Sequence, residues 1–531
     1  MKYIKTITMM TIAGATLASC SDWTDHYENG AGISDNASLW ETLKAASRLS
    51  DFCDVLEQTK IFRHHRRTSV SYADLLNGGQ AFTVFAPVNG TFNKDSLLQL
   101  VQTDQGDSTV EKFFVRNHIA ASSASAIDRS SEVRLLNKKH VTLSVSNVEG
   151  TSIISPNVHA KNGTLHVLGT KMPYQYSLYE SMTDRPEFSA VGNFLRVYDE
   201  DYFNEDASIS SGLVDGLPVY VDSVISERNR MLERIGLINA EDSTYWMVVP
   251  TQAGWDKAYN EAASYFIYDA KVPKRDSVQY YWTNRALLED AIFNMNIQSS
   301  YRDSLKSVQY NPYRPKYHVF YKPFDNGILS DTKAVDCSNG VLYETERWPF
   351  TPEQTYFKEL RTEGENTGRI TAYNACTFNT RTVSADSVSE NGYLDILPQT
   401  ATSNWTMTFR VDNTLSGTYD ICAIILPQTV YNENLTNLRP CKFRADINYV
   451  DEGGNARSFN CNNVQFITDP TRVDTVVLAK DFKFPTCNFD QDNIKVSVQL
   501  RCSILARETS MYSREMYLDC IYLRPSTSKA E

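Results

Sequence analysis

The sequence predicts a multidomain protein, with two α+β domains followed by an antiparallel β-sandwich of jelly-roll type. Three observations lead there. The chain has 531 residues, more than one hydrophobic core commonly serves. The stretch "AFTVFAPVNGTF" at 81–92 is echoed at 243–255 by "STYWMVVPTQAGW", which suggests one module used twice. After residue 369 the chain turns into short alternating runs such as "WTMTFRVDN", "KFRADINYVD" and "IKVSVQLRCSIL", with turn signals such as Gly453-Gly454 between them. That is the pattern of half-buried strands in a sandwich.

Composition supports a folded chain, since 42% of residues are hydrophobic and 22% charged. A net charge of −12 argues against nucleic acid as a partner, because phosphate binding needs a basic footprint. The one short basic cluster, Arg63 to Arg67, reads as a solvated loop or helix end. The 30 tyrosines can serve a core or a wet binding surface, having a flat apolar face and a polar tip.

At the N-terminus, Lys2 and Lys5 precede a short apolar run, Ile7 to Leu17, too short to span a membrane. Leu17-Ala18-Ser19-Cys20 follows and resembles a bacterial lipobox. The resemblance implies a signal peptide at 1–19, lipid attachment at Cys20 and a mature chain anchored to a membrane. Residues 20–35 are polar and contain Gly, as a tether should. Asp22 and Asp25 look like the acidic residues that send some lipoproteins to the outer face of the cell. Asp-Ser/Thr followed by an aliphatic residue or Thr starts at Asp95, Asp107, Asp222, Asp242, Asp276, Asp303, Asp386 and Asp474. The tripeptide resembles an O-glycosylation acceptor of gut-type Gram-negative bacteria, which implies surface positions.

Residues 37–60 carry apolar positions at helical spacing, with Asn36 or Ser38 as cap. Residues 82–86 read as a strand, 96–101 and 109–120 as helices, and "NGTLHVLGTKMPY" as a turn and strand ending at Pro173. The blocks Thr83 to Phe92, "FFVRNHIA" with His118, and Asn162 to Leu168 come in an order that resembles a fasciclin domain, over 36–176. Residues 177–352 resemble a divergent second copy. There Pro250 follows the strand, Trp255 stands for Phe92 and Tyr343 for His166, with inserts at 196–222 and 300–325. In both blocks Pro reads as a strand end and Asn as a turn or helix cap, and His118 and His166 read as structural. Residues 353–368 read as a helical connector. In the sandwich, 369–531, "SGTYDI" and the closing "YLDCIYLRP" look like galactose-binding-type and carbohydrate-binding modules.

No catalytic signature occurs: no G-x-S-x-G, H-E-x-x-H, Walker loop or G-x-G-x-x-G. No C-x-x-C or Cys/His spacing suits zinc, so neither metal nor cofactor is expected. The acidic run "DEDYFNED" at 199–206 lacks the Gly and terminal Glu of an EF-hand and reads as a solvated loop. Cys422, Cys502 and Cys520 sit in strand-like runs as small hydrophobes, whereas Cys441, Cys461 and Cys487, in polar surroundings, can pair in an exported protein. Contact residues are sought among exposed aromatics. The insert "YNPYRPKYHVFY" offers Tyr310, Tyr313, Tyr317 and Tyr321, and the sandwich offers Tyr373, Trp405 and Tyr431 as platforms for a glycan or a protein.

The resemblance implies a non-enzymatic surface lipoprotein of the outer membrane, accessory to a TonB-dependent nutrient transporter for glycans or peptides. Its partners would be the membrane, through the lipid on Cys20, the transporter complex or another surface protein, and a glycan. An adhesin and a hydrolase with an unrecognised site are the alternatives.

Overall fold

A computed structural model describes residues 36–63, 65–204, 209–214, 217–222, 225–297, 300–308, 318–384, 388–461 and 464–526. The chain divides into two compact units between Tyr174 and Gln175.

The first unit is built on a seven-stranded sheet. Strand Phe82–Pro87 is buried along its whole length and runs parallel to Gly163–Leu168. A parallel pair needs a long crossover, and residues 88–162 supply it. Helices cover one face, where Leu43, Phe52, Val55, Phe114 and Val84 pack together. The other face packs Phe85, Leu168, Val133 and Leu143. Ser38 closes a capping box with Glu41 at the start of helix Leu39–Ala45. Asn89 caps at a distance: its Oδ1 accepts from the Asp51 N–H (3.0 Å), near the start of helix Ser50–Gln58. The cap of the next helix, Lys94–Leu100, is Asn93 instead.

Asn162 and Gly163 fasten the parallel pair to the helices. The Asn162 amide accepts from the Leu39 N–H (2.7 Å) and donates to the carbonyls of Leu76 and Gly78. Gly163 sits at φ +145°, and a Cβ there would lie 1.9 Å from the Phe82 carbonyl oxygen. Only Gly fits that position.

The second unit begins with the same local arrangement. Strand Tyr245–Pro250 runs parallel to Gly340–Thr345, flanked by Ile292–Asn294 and Lys333–Cys337. Ser177 closes a capping box on helix Leu178–Asp184, and helices Gln252–Ala263 and Arg275–Leu288 follow the first strand. The acidic run is not a solvated loop over its described part. Asp199–Phe203 is a strand paired with Ile225–Asn229, and Glu200 binds Arg228 and Arg230.

The sandwich has two six-stranded sheets. In one, Met516–Pro525 lies central, between Thr418–Leu426 and Gly392–Pro398. In the other, Ser497–Cys502 lies between Thr406–Arg410 and Lys442–Val450. Ile396, Ile421, Leu518, Phe409, Phe443 and Leu500 fill the space between them. The expected helical connector is not one. After a single 3-10 turn at Pro352–Gln354, Leu360–Glu363 is a strand paired antiparallel with Met516–Pro525. A central strand with an open edge is completed by this segment, and that outweighs its weak helical pattern.

The sandwich and the module before it share one core. Phe266 and Phe357 belong to the sandwich cluster. Phe357 meets Tyr419 at 4.9 Å, and Trp282 meets Phe489 at 4.7 Å. Backbone bonds from Ser416 to Tyr265 and from Cys487 to Ile267, and an ion pair of Lys495 with Asp269, join the two parts.

Candidate functional site

An open trough of about 780 Å³ lies on the outer face of the first sandwich sheet. Its floor follows from strand alternation. Asp420, Tyr522 and Arg524 are outward positions on neighbouring central strands, while Ile421, Ile521 and Leu523 point into the core. Lys358 and Glu359 form a wall from the segment that joins the two parts. Arg524 donates to Asp420 (2.8 Å), and the Asp481 N–H donates to the other carboxylate oxygen (3.0 Å). Burial raises the Asp420 carboxyl, but these two contacts outweigh it and hold the group below its usual range. The Tyr522 hydroxyl donates to Glu359, and the Arg361 guanidinium lies 4.8 Å from its ring. Burial lowers the Lys358 ammonium, which donates to the Gln354 carbonyl. The trough thus offers an aromatic ring and fixed charges of both signs. Such a surface can hydrogen-bond a polar ligand.

Beside it, Glu363, Glu365 and Asp519 come together. Asp519 is buried and accepts from the Ser389 N–H (3.0 Å). Burial first, then the nearby Glu363 and Glu365 carboxylates, push its carboxyl up to about 6. Glu363 Oε2 and Glu365 Oε2 are buried without a hydrogen-bond partner. Burial first, and then nearby carboxylates, raise both of these glutamates as well. No motif spacing marks this group, because its members come from 363–365 and from the last strand.

The residues singled out in the sequence fall in different places. Cys20, Tyr310, Tyr313 and Tyr317 lie outside the described residues. Tyr321 is 76% exposed, whereas neighbouring Phe320 is buried against Phe350. Tyr373 is 58% exposed and stands edge-on to Phe378 at 5.1 Å. Tyr431 is 60% exposed, with the Arg381 guanidinium 4.2 Å from its ring. Phe378 and Arg381 lie on opposite faces of strand Cys376–Thr382, so the two tyrosines do not form one platform. Trp405 is corrected outright: it is 0% exposed, in the middle of the sandwich core, and donates its indole N–H to the Arg514 carbonyl. It cannot stack on a sugar. Asp420, Tyr522 and Arg524 are not among the residues that motif or aromatic content singles out. Their signal was the alternation in "YDICAII" and "IYLRP", with each polar residue facing out beside buried neighbours.

The two histidines of the first unit are each held at both ring nitrogens by the backbone. His118 Nδ1–H donates to the Phe114 carbonyl (2.7 Å), and Nε2 accepts from the Met172 N–H (2.9 Å). His166 uses the other tautomer, donating from Nε2 to Ala124 and accepting at Nδ1 from Asn157. Burial lowers both, His118 to about 4, so both are neutral. Neither has a nitrogen left for proton transfer. Of the described acceptor tripeptides, Ser96, Ser277 and Thr475 are exposed, but Asp107 is buried against Arg67 and does not fit the surface expectation.

Parallel strands tied by Asn162-Gly163 and a buried His118 at the end of the helical crossover invite comparison with known families. Residues 49–172 match the fasciclin domain family. The fasciclin domain thus accounts for nearly all of the described first unit. Among solved structures, the chain is similar to a FAS1 domain pair from the insect cell adhesion molecule Fasciclin I, at 11% identity, over 52% of this chain and 90% of that one, with a TM-score of 0.18. It is similar to a xylan-binding domain of carbohydrate-binding module family 22, at 11% identity, over 34% and 99%, with a TM-score of 0.22. It is also similar to the enzymatically active domain of a bacteriophage CBA120 tailspike protein, at 12% identity and a TM-score of 0.19. That match covers 31% of this chain and spans only 19% of the tailspike chain. At such TM-scores these likenesses carry no argument about ligand or chemistry. A search of curated proteins found no match.

Proposed function

We propose that this chain is a non-enzymatic lipoprotein of the outer membrane, facing the cell exterior, that serves a nutrient transporter as an accessory ligand-capture or scaffolding subunit. In this reading Cys20 carries the lipid, the fasciclin domain and a divergent second copy at 177–352 raise the sandwich from the membrane, and the trough at Asp420, Tyr522 and Arg524 meets a glycan or peptide. The single observation that carries it is the core shared by Phe266, Phe357, Trp282, Tyr419 and Phe489. A sandwich packed into its neighbour through buried aromatics is a rigidly held surface, suited to presentation. The paired charges of the trough and the Tyr522 ring support binding of a polar ligand.

Affinity isolation of the tagged full chain from its own membrane tests this. Co-purification of a TonB-dependent transporter and its partner lipoprotein is expected. Recovery without transporter subunits overturns the accessory role and favours adhesion.

A further inference from the structure

Cys441 and Cys502 are brought together by strand pairing. Phe443 stands opposite Cys502 in the antiparallel pair, and residues 441, 443 and 445 share the core-facing side. Cys441 is therefore the diagonal neighbour of Cys502 on one face. Both residues are buried, each thiol perturbs the ionisation of the other, and the Cys502 thiol donates to Asn404 Oδ1 (3.4 Å). Their backbones are pinned: Cys441 exchanges bonds with Thr468, and the Cys502 N–H donates to the Trp405 carbonyl. Polar surroundings suggest Cys461 or Cys487 as the partner of Cys441, and the strand run around Cys502 suggests a core residue. The fold pairs Cys441 with Cys502.

We infer that Cys441 and Cys502 form a disulfide when the protein folds in an oxidising compartment. This rests on the proposed export of the chain. The oxidant is a protein or small-molecule disulfide. The Cys502 thiolate attacks it, forming a mixed disulfide and releasing one thiol. The Cys441 sulfur then attacks Cys502, loses its proton and expels the second thiol. Two protein thiols are oxidised, and one external disulfide is reduced to two thiols. The ionisation order of the closed fold does not choose the attacking sulfur, and the reverse sequence, with Cys441 attacking first, gives the same product. Burial confines the reaction to folding, before the two strands close. The bond would tie Lys442–Val450 to Ser497–Cys502 and restrict the unfolded chain between them.

Peptide mapping without reduction tests this on the full chain from two sources. One is protein isolated from its membrane after thiols are blocked. The other is purified protein, reduced, unfolded and refolded in a buffer of reduced and oxidised glutathione. A linked pair of peptides holding Cys441 and Cys502 is expected from both, absent in Cys441→Ser and Cys502→Ser, with a lower urea midpoint after reduction. The link in the refolded protein alone supports the pairing and counts against export. Free Cys441 and Cys502 in both samples, or links of either to another cysteine, overturn the inference.

Discussion

Asn339 does in the second unit what Asn162 does in the fasciclin domain. Each side-chain oxygen accepts from the first residue of a capped helix, Leu178 N–H at 2.9 Å and Leu39 N–H at 2.7 Å. Each amide nitrogen donates to two backbone carbonyls, Ile238 and Ala240 in one case and Leu76 and Gly78 in the other. Each backbone carbonyl receives the first N–H of the parallel strand, from Tyr245 or Phe82. Asn162→Ala and Asn339→Ala should each leave several buried groups unpaired and cost roughly 3 kcal/mol. Hydrogen exchange on the full chain should place the loss in the first unit for one variant and in the second for the other.

The glycines that follow make a sharper contrast. Gly163→Ala and Gly340→Ala put a Cβ 1.9 and 1.7 Å from a carbonyl oxygen of the facing strand, at φ +145° and +147°. Both should abolish soluble expression. Gly90→Ala, at φ +74° with nothing near its Cβ, should cost only about 1 kcal/mol. Soluble yield and urea midpoints measure the difference.

Mild acid should act on the two units in opposite directions. The His118 ring is held at about 4 against an ordinary 6.5, so the unfolded state binds the proton first. Its stabilising effect is present above pH 6.5 and is lost as pH falls toward 4, by about 2 kcal/mol at pH 5. Asp519 is raised to about 6 from 3.8, so the folded state binds the proton first. Its contribution is full below pH 3.8 and is lost as pH rises through 6, so lowering pH from 7 to 5 should return about 1 kcal/mol. Exchange rates at Met172 and in strand Met516–Pro525, corrected for intrinsic rate, should diverge, and Asp519→Asn should flatten the second response.

Tyr522→Ala should leave the melting temperature nearly unchanged while weakening capture on glycan or peptide arrays. Trp405→Ala should cost roughly 3–5 kcal/mol by opening the core and reveal no separate binding defect once folding is accounted for. Equal loss of binding at unchanged stability in both would contradict the placement of Trp405 in the core.

Much of the architecture could be read from order and alternation. The strand at Thr83, the turn at Gly163 and the strand runs after 369 follow from local chemistry: apolar alternation, Pro as a stop, Gly where no Cβ fits. Leu360–Glu363 could not, because a short segment becomes a strand only by meeting the free side of Met516–Pro525. Trp405 misled for a related reason. A tryptophan in an alternating run is equally at home in a core or on a groove, and only the partner sheet decides. The trough escaped because Asp420 and Tyr522 are far apart in the chain and meet through the register Cys422 to Tyr522.

The segment from Phe357 to Glu363 belongs to two neighbours at once, giving a ring to the joint and a strand to the sheet. A gene cut at residue 368 would therefore not release a portable cassette. The excised part would lack a staple along its middle strand and show raw apolar surface where Phe266 and Trp282 had been. Swapping this sandwich onto another stalk would require carrying the joint along with it.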